Sequence, residues 1–162
     1  MKKTSEKTNA LRMLGQHKLP FVSHDYTSSG AVSGPEVAAA LGEDPEKVFK
    51  TLVTTGKSGQ HYVFVLPVTK ELDLKKAAAA VKEKNVAMLP QKELLPLTGY
   101  VHGGCSPIGM KKLFPTVLHL SAGALDTICV SGGRIGLQVE LAPEDLGRLV
   151  PYTLADIAAE EE

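Results

Sequence analysis

Val48-Phe49-Lys50-Thr51-Leu52-Val53-Thr54-Thr55 and, beyond the short loop at 56–60, His61-Tyr62-Val63-Phe64-Val65-Leu66-Pro67-Val68 form the stretch on which the fold turns. Both halves are rich in β-branched and aromatic residues, and the segment between them carries Gly56 and Gly59. This pattern predicts two strands joined as a hairpin. The second half is almost wholly apolar, so both of its faces are expected to be covered. A strand of that kind needs layers on either side of it.

Outward from the hairpin, the chain alternates between helical and extended patterns. Residues 5–18 place Ala10, Leu11 and Leu14 on one helical side, with Thr4 or Ser5 as cap and Pro20 as the stop. A short strand is expected over 21–26, then the polar loop Thr27-Ser28-Ser29-Gly30. Ser33-Gly34-Pro35-Glu36 has the form of a capping box and opens a short helix over 37–41 that Gly42 ends. Asp44-Pro45-Glu46 starts another turn. Further helices are expected over 72–81 and 143–150, with a helical turn at 90–95. Strands are expected over 85–89, 116–120, 127–131 and 137–141, the last two joined at Ser131-Gly132-Gly133-Arg134. No repeat or linker interrupts residues 1–162, so one domain is expected. Strands and helices mix without strict β-α-β alternation. That argues for a mixed α+β class, with a mixed sheet or a partly closed barrel and flanking helices.

Composition narrows the function classes. Hydrophobic residues make up 43% of the 162 and charged residues 22%, as in ordinary globular domains. No apolar run is long enough for a membrane helix, and the N-terminus Met1-Lys2-Lys3-Thr4-Ser5 lacks the apolar core of a secretory signal, so a cytoplasmic protein is expected. Eighteen basic residues balance eighteen acidic ones. A protein that grips a nucleic-acid backbone unaided is usually basic, so any contact with RNA here is expected to be local.

Few residues stand out chemically. Lys50 is the lone charge in an apolar strand; it is either an edge lysine whose stem covers apolar surface or a charge held in a cleft. Gly103-Gly104-Cys105-Ser106-Pro107-Ile108-Gly109 is either a tight connection or a loop whose amides face an anion or a developing oxyanion. It lacks the ending of a phosphate-binding P-loop. Ser131-Gly132-Gly133 is a turn that could present the Ser131 hydroxyl. The five histidines show no metal-ligand spacing. His102, next to the glycine loop, reads more simply as a satisfied or exposed histidine than as a site residue. Cys105 and Cys129 read as reduced, half-buried thiols, and no base stands at a fixed spacing that would make Cys105 a nucleophile.

Three segments in this order, Val48-Phe49-Lys50-Thr51-Leu52, Gly99-Tyr100-Val101-His102-Gly103-Gly104-Cys105-Ser106-Pro107-Ile108-Gly109 and Val130-Ser131-Gly132-Gly133-Arg134-Ile135-Gly136-Leu137, resemble the YbaK/EbsC-type aminoacyl-tRNA deacylases. These are relatives of the editing domain inserted in bacterial prolyl-tRNA synthetases, and the similarity runs over about residues 8–156. The resemblance implies a barrel-like mixed β core with surrounding helices. It also implies deacylation of mischarged tRNA in trans, foremost Cys-tRNA(Pro), at the tRNA's CCA end, with prolyl-tRNA synthetase as a partner. In that family the substrate thiol is thought to attack its own ester, so no protein nucleophile, metal or cofactor is required, and the activity borders on that of a lyase.

By the same resemblance, Lys50 matches the lysine needed for activity, Gly103 a pocket glycine, Ser131 the pocket serine and Tyr26 a pocket-side tyrosine. Lys50, Gly103, Gly104 and Ser131 are the expected catalytic set: Lys50 on a phosphate or ribose oxygen, the two glycine amides on the carbonyl oxygen, and Ser131 positioning the amino acid. Tyr26, Thr51, Ser106, Gly132 and Gly133 are the expected binding set. Relatives can carry an aromatic residue where this chain has Val32-Ser33. A deacylase for another small amino acid, as in Ala-tRNA(Pro), and a non-catalytic tRNA- or synthetase-binding module are the alternatives.

Overall fold

The computed structural model describes residues 8–31 and 34–160. Five helices are present among them: α1 (Asn9–Gln16), α2 (Gly34–Leu41), α3 (Leu74–Val81), α4 (Gln91–Thr98) and α5 (Pro143–Leu149). Eight strands accompany them: β1 (Val22–Asp25), β2 (Phe49–Gly56), β3 (His61–Pro67), β4 (Val86–Met88), β5 (Thr116–His119), β6 (Ile128–Ser131), β7 (Leu137–Leu141) and β8 (Tyr152–Ala155). None of the helices is long and apolar enough to cross a membrane.

The β2–β3 hairpin forms as its sequence requires, antiparallel from Phe49↔Pro67 to Thr55↔His61. It becomes the centre of a five-stranded sheet of order β4-β2-β3-β5-β8, in which β3 pairs β5 in parallel and β5 pairs β8 in parallel. A second sheet has the order β1-β7-β6 and is wholly antiparallel.

The apolar alternation of β2 and β3 explains the layering. Phe49, Val53, Val63 and Val65 point into the main core, where they meet Ile128, Val130, Val139 and Leu141 of the small sheet, Ala10 and Leu14 of α1, and Leu146 and Leu149 of α5. Phe64 and Leu66 point the other way, against Ala77 and Ala78 of α3. Both faces of β3 are therefore covered, as its run of apolar residues demands. Asp73 starts α3 by accepting hydrogen bonds from the backbone N–H groups of Lys75 (2.9 Å) and Lys76 (3.0 Å).

The barrel expected for the core does not form. Neither sheet closes: β1 and β6 remain the edges of one, β4 and β8 of the other. The two sheets pack together in the core, but among the described residues their only backbone pairing is the isolated bridge Val48↔Cys129. The physical reason lies in β2. Its second edge is taken by β4 at Thr54–Gly56 and by the Leu89 N–H on the Val53 carbonyl, while β6 pairs with this segment only at Val48, just before β2. Residues 49–52 thus have no ladder partner on that side, and the seam that a barrel would have zipped shut stays open.

Smaller differences have local causes. α1 begins at Asn9 with Thr8 as its cap, the Thr8 hydroxyl accepting from the Leu11 N–H (3.1 Å). The cap expected at Thr4 or Ser5 lies outside the described residues, as do Val32 and the Ser33 cap of α2. The turn at 90–95 extends into α4 through Pro96, with the Thr98 hydroxyl donating to the Leu94 carbonyl (2.8 Å). β8, which the sequence pattern does not announce, is a half-exposed edge strand created by pairing with β5.

Candidate active site

The open seam is a cavity of about 350 Å3. Its walls are β2 (Phe49, Lys50, Thr51, Leu52), the start of α2 (Gly34, Pro35, Val37), the outer face of the small sheet (Ser131, Gln138), Tyr26, and the loop carrying His102, Gly103 and Cys105. Five of the nine residues expected at a site therefore line one space: Tyr26, Lys50, Thr51, Gly103 and Ser131. The register of the small sheet accounts for part of this, because Ser131 pairs with Gln138 and Gln138 with His24, which sets those three on one face.

The other four expected residues do not line it, and each is occupied structurally. The Gly104 N–H donates to the Val101 carbonyl (3.0 Å), closing a turn. A Cβ on Gly104 would stand 2.8 Å from the Arg134 and Ile135 backbone, so this residue lets two loops touch. The Gly132 N–H donates to the Leu137 carbonyl (2.8 Å) and the Gly133 N–H to the Ser131 hydroxyl (3.2 Å). Ser106 is fully buried and accepts from the Ile108 N–H (3.1 Å). Gly103, with φ +89°, differs from these in that its N–H has no partner among the described residues.

Lys50 is half-buried and makes no ion pair among the described residues. Burial pushes its ammonium pKa below the usual lysine range, and the charge of Glu71 offsets part of that shift. Such a cation in a cleft is matched to an anionic or strongly polar oxygen. Two further lining residues, Thr51 and Gln138, each carry a buried side-chain oxygen that has no hydrogen-bond partner among the described residues. Groups of that kind are costly when left unpaired. Ser131, itself buried, already accepts from Gly133, which leaves its hydroxyl proton free to donate into the cavity.

Tyr26 is held from both sides. Its N–H donates to the Gly136 carbonyl (2.8 Å), and Arg134 donates to Asp25 (3.2 Å) and to the Thr27 hydroxyl (3.2 Å). The Ser131 hairpin is thereby tied to the residues that flank Tyr26.

Gln138 is the residue that sequence reading missed. It was legible in principle, because once 128–131 and 137–141 are read as a hairpin, position 138 falls opposite Ser131. The contributions of Pro35, Val37, Val68 and Leu94 were not legible, since they depend on how α2 and α4 pack.

Cys105 lines the cavity, but burial pushes its thiol up to about 12, with a hydrogen bond to Thr98 acting in the opposite direction. A thiol in that state is protonated and inert at neutral pH. Cys105→Ala is expected to retain activity within about threefold and to leave the fold intact. Inactivity of a folded Cys105→Ala protein in a deacylation assay would assign the thiol a chemical role.

Behind the cavity, Glu140 accepts hydrogen bonds from the Thr127 hydroxyl (2.6 Å), His24 Nε2 (2.9 Å) and Lys47 Nζ (3.2 Å). Donor atoms of His24, Glu43, Cys129 and Glu140 lie within 4.8 Å of one another, a ligand set that sequence spacing does not reveal. The cation they hold is the Lys47 ammonium, 3.2 Å from Glu140 and 3.6 Å from Glu43. These hydrogen bonds, that of Thr127 foremost, hold the Glu140 carboxyl at about 2, below its ordinary 4.5. Because the folded value is the lower one, the contribution is complete above pH 5 and is lost as the pH falls toward 2. Its size is on the order of 2–3 kcal/mol. Urea unfolding at pH 6, 4 and 2.5 should show that loss in the wild type and a flatter profile in Glu140→Gln.

Comparison with known proteins places this geometry. The sequence profile described as "Aminoacyl-tRNA editing domain" matches residues 29–149. The chain is 47% identical over 161 residues to EbsC of Enterococcus faecalis, covering 99% of this chain and 98% of that protein; the name of EbsC proposes a Cys-tRNA(Pro)/Cys-tRNA(Cys) deacylase. A crystal structure described as that of a proposed trans-editing enzyme for prolyl tRNA synthetase superposes with a TM-score of 0.80 at 25% identity, over 96% of this chain and all of that one. Another, described as a hypothetical protein, superposes with a TM-score of 0.85 over 93% of this chain and 99% of that one; at 22% identity it bears on the fold alone.

Proposed function

The chain belongs to the aminoacyl-tRNA editing domain family, and from that premise we propose that it deacylates mischarged tRNA in trans, with Cys-tRNA(Pro) as its main substrate. The observation that carries this reading is the cavity where Lys50, Gly103, Ser131 and Tyr26 converge, in a chain 47% identical to EbsC from end to end. The cavity is of a size to take one small amino acid with the ribose that bears it.

In this reading Lys50 binds a phosphate or ribose oxygen of the terminal adenosine. The Gly103 N–H and the Ser131 hydroxyl donate to the ester carbonyl as charge develops on its oxygen. Gln138, opposite Ser131, is the neutral polar residue placed nearest to take the substrate's α-ammonium group. The substrate thiol attacks its own ester carbon: an S–C bond forms, the thiol gives up its proton, and the C–O bond to the ribose breaks. The freed ribose oxygen takes up a proton, and water then opens the resulting thiolactone to cysteine. The protein's work is orientation and charge stabilisation. Gly104, Ser106, Gly132 and Gly133 act here as support for the residues that touch substrate.

The zero net charge fits a division of labour in which prolyl-tRNA synthetase grips the tRNA body and this chain reads the CCA end. The test is release of labelled cysteine from Cys-tRNA(Pro), with Ala-tRNA(Pro) and Cys-tRNA(Cys) in parallel. Cysteine release with little alanine release is expected. Release of alanine alone would reassign the pocket to another small amino acid. Failure to release either would leave a binding module.

A further inference from the structure

We propose that His102 is a catalytic proton shuttle, its imidazole taking the proton of the substrate thiol and passing it to the ribose oxygen as the ester bond breaks. The inference rests on the reading of the cavity as a Cys-tRNA deacylase site. It assigns the one transfer that reading leaves without a carrier.

His102 lines the same cavity as Lys50, Gly103 and Ser131, and it stands exposed at the rim, where the ester has to enter. Neither ring nitrogen has a partner among the described residues. The backbone under it is fixed: the Gly104 N–H closes the turn on Val101, and Gly104 packs directly on the Arg134 and Ile135 backbone. An imidazole with both nitrogens unengaged, on an anchored turn, can accept a proton on one face and release it on the other. Imidazole is the side-chain group that does both near neutrality.

The other groups of the cavity are less suited. The Cys105 thiol is held protonated by burial. The Ser131 oxygen is engaged by the Gly133 N–H. Lys50 binds a phosphate or ribose oxygen in that reading, and it does so as a cation only while it keeps its proton. The titratable groups facing His102 across the cavity are Tyr26, Lys50 and Cys105, with Arg134 and its partner Asp25 behind the turn.

The protons balance. The thiol proton moves to the neutral imidazole as sulfur attacks the carbonyl carbon, and the imidazolium returns it to the departing ribose oxygen. The ring ends neutral, the tRNA leaves with a free hydroxyl, and the amino acid leaves as a thiolactone that water opens to free cysteine.

The test is single-turnover release of cysteine from Cys-tRNA(Pro) by the wild type, His102→Gln and His102→Ala. Both variants are expected to lose at least about 100-fold in rate with substrate binding changed less than threefold. The wild-type rate should rise with pH and then level off. The His102→Gln rate should keep rising about tenfold per pH unit into the range where the substrate thiol ionises unaided. Imidazole added to His102→Ala should restore part of the lost rate, an effect that a purely structural histidine would not show. Rates within threefold of wild type in both variants would overturn the proposal. So would a loss that imidazole does not repair, with the wild-type pH profile unchanged. If the wild type releases no cysteine, the functional reading falls and the shuttle falls with it, an outcome distinct from an active wild type indifferent to His102.

Discussion

Lys50→Ala should reduce cysteine release by at least about 100-fold, the scale on which a single charge-stabilising group at a reacting oxygen is usually felt. The structural cost should be small. Lys50 makes no ion pair among the described residues, and its burial already works against its charge, so removing the ammonium takes away a penalty together with a binding group. The far-ultraviolet circular dichroism spectrum should stay native and the melting temperature should move by only a few degrees. Lys50→Met keeps most of the stem that packs along β2 and should lose activity to the same extent, which separates charge from packing. Activity of either variant within threefold of wild type would remove Lys50 from the site.

Gly104→Ala should have the larger effect on structure. The added Cβ would lie 2.8 Å from the Arg134 Cα and carbonyl carbon and from the Ile135 nitrogen, all of them backbone atoms that cannot rotate away. Overpacking of this kind costs about 1–3 kcal/mol. Because the contact joins the loop of His102 and Gly103 to the hairpin of Ser131, the loss should fall on the site as well as on stability. A lowered urea midpoint and a deacylation rate down by at least tenfold are expected together. A variant with wild-type stability and rate would show that the two loops are not locked to one another.

The contrast between these two positions bears on what sequence reading could reach. Both were grouped as catalytic by resemblance, yet they act at different levels: Lys50 faces the cavity, whereas Gly104 has its amide committed to Val101 and its missing side chain committed to the neighbouring loop. A glycine that touches a ligand and a glycine that touches another backbone look alike in sequence, since both follow from the absence of a Cβ. Only the spatial neighbours separate them. Ser106 repeats the point, a hydroxyl beside the site in sequence but turned inward onto the Ile108 N–H.

Local pattern by itself determined the β2–β3 hairpin, the covered faces of β3, most helix positions and the pairing of 128–131 with 137–141. Those features arise from periodicity and turn chemistry within a few residues, so they are written where they act. The order of the three segments, read as a resemblance, determined the family. Tertiary structure decided the rest. β8 exists because β5 offers it an edge, His24 and Glu140 meet only through the register of β1 on β7, and Gln138 enters the site because the hairpin turns it outward beside Ser131. Above all, it decided that the two sheets do not close. One bridge at Val48 and the presence of β4 farther along β2 leave residues 49–52 unpaired on one edge. That open seam is set by which strands compete for a hydrogen-bonding edge, a choice no single segment encodes, and it is the place where Lys50 meets Ser131 and Gly103.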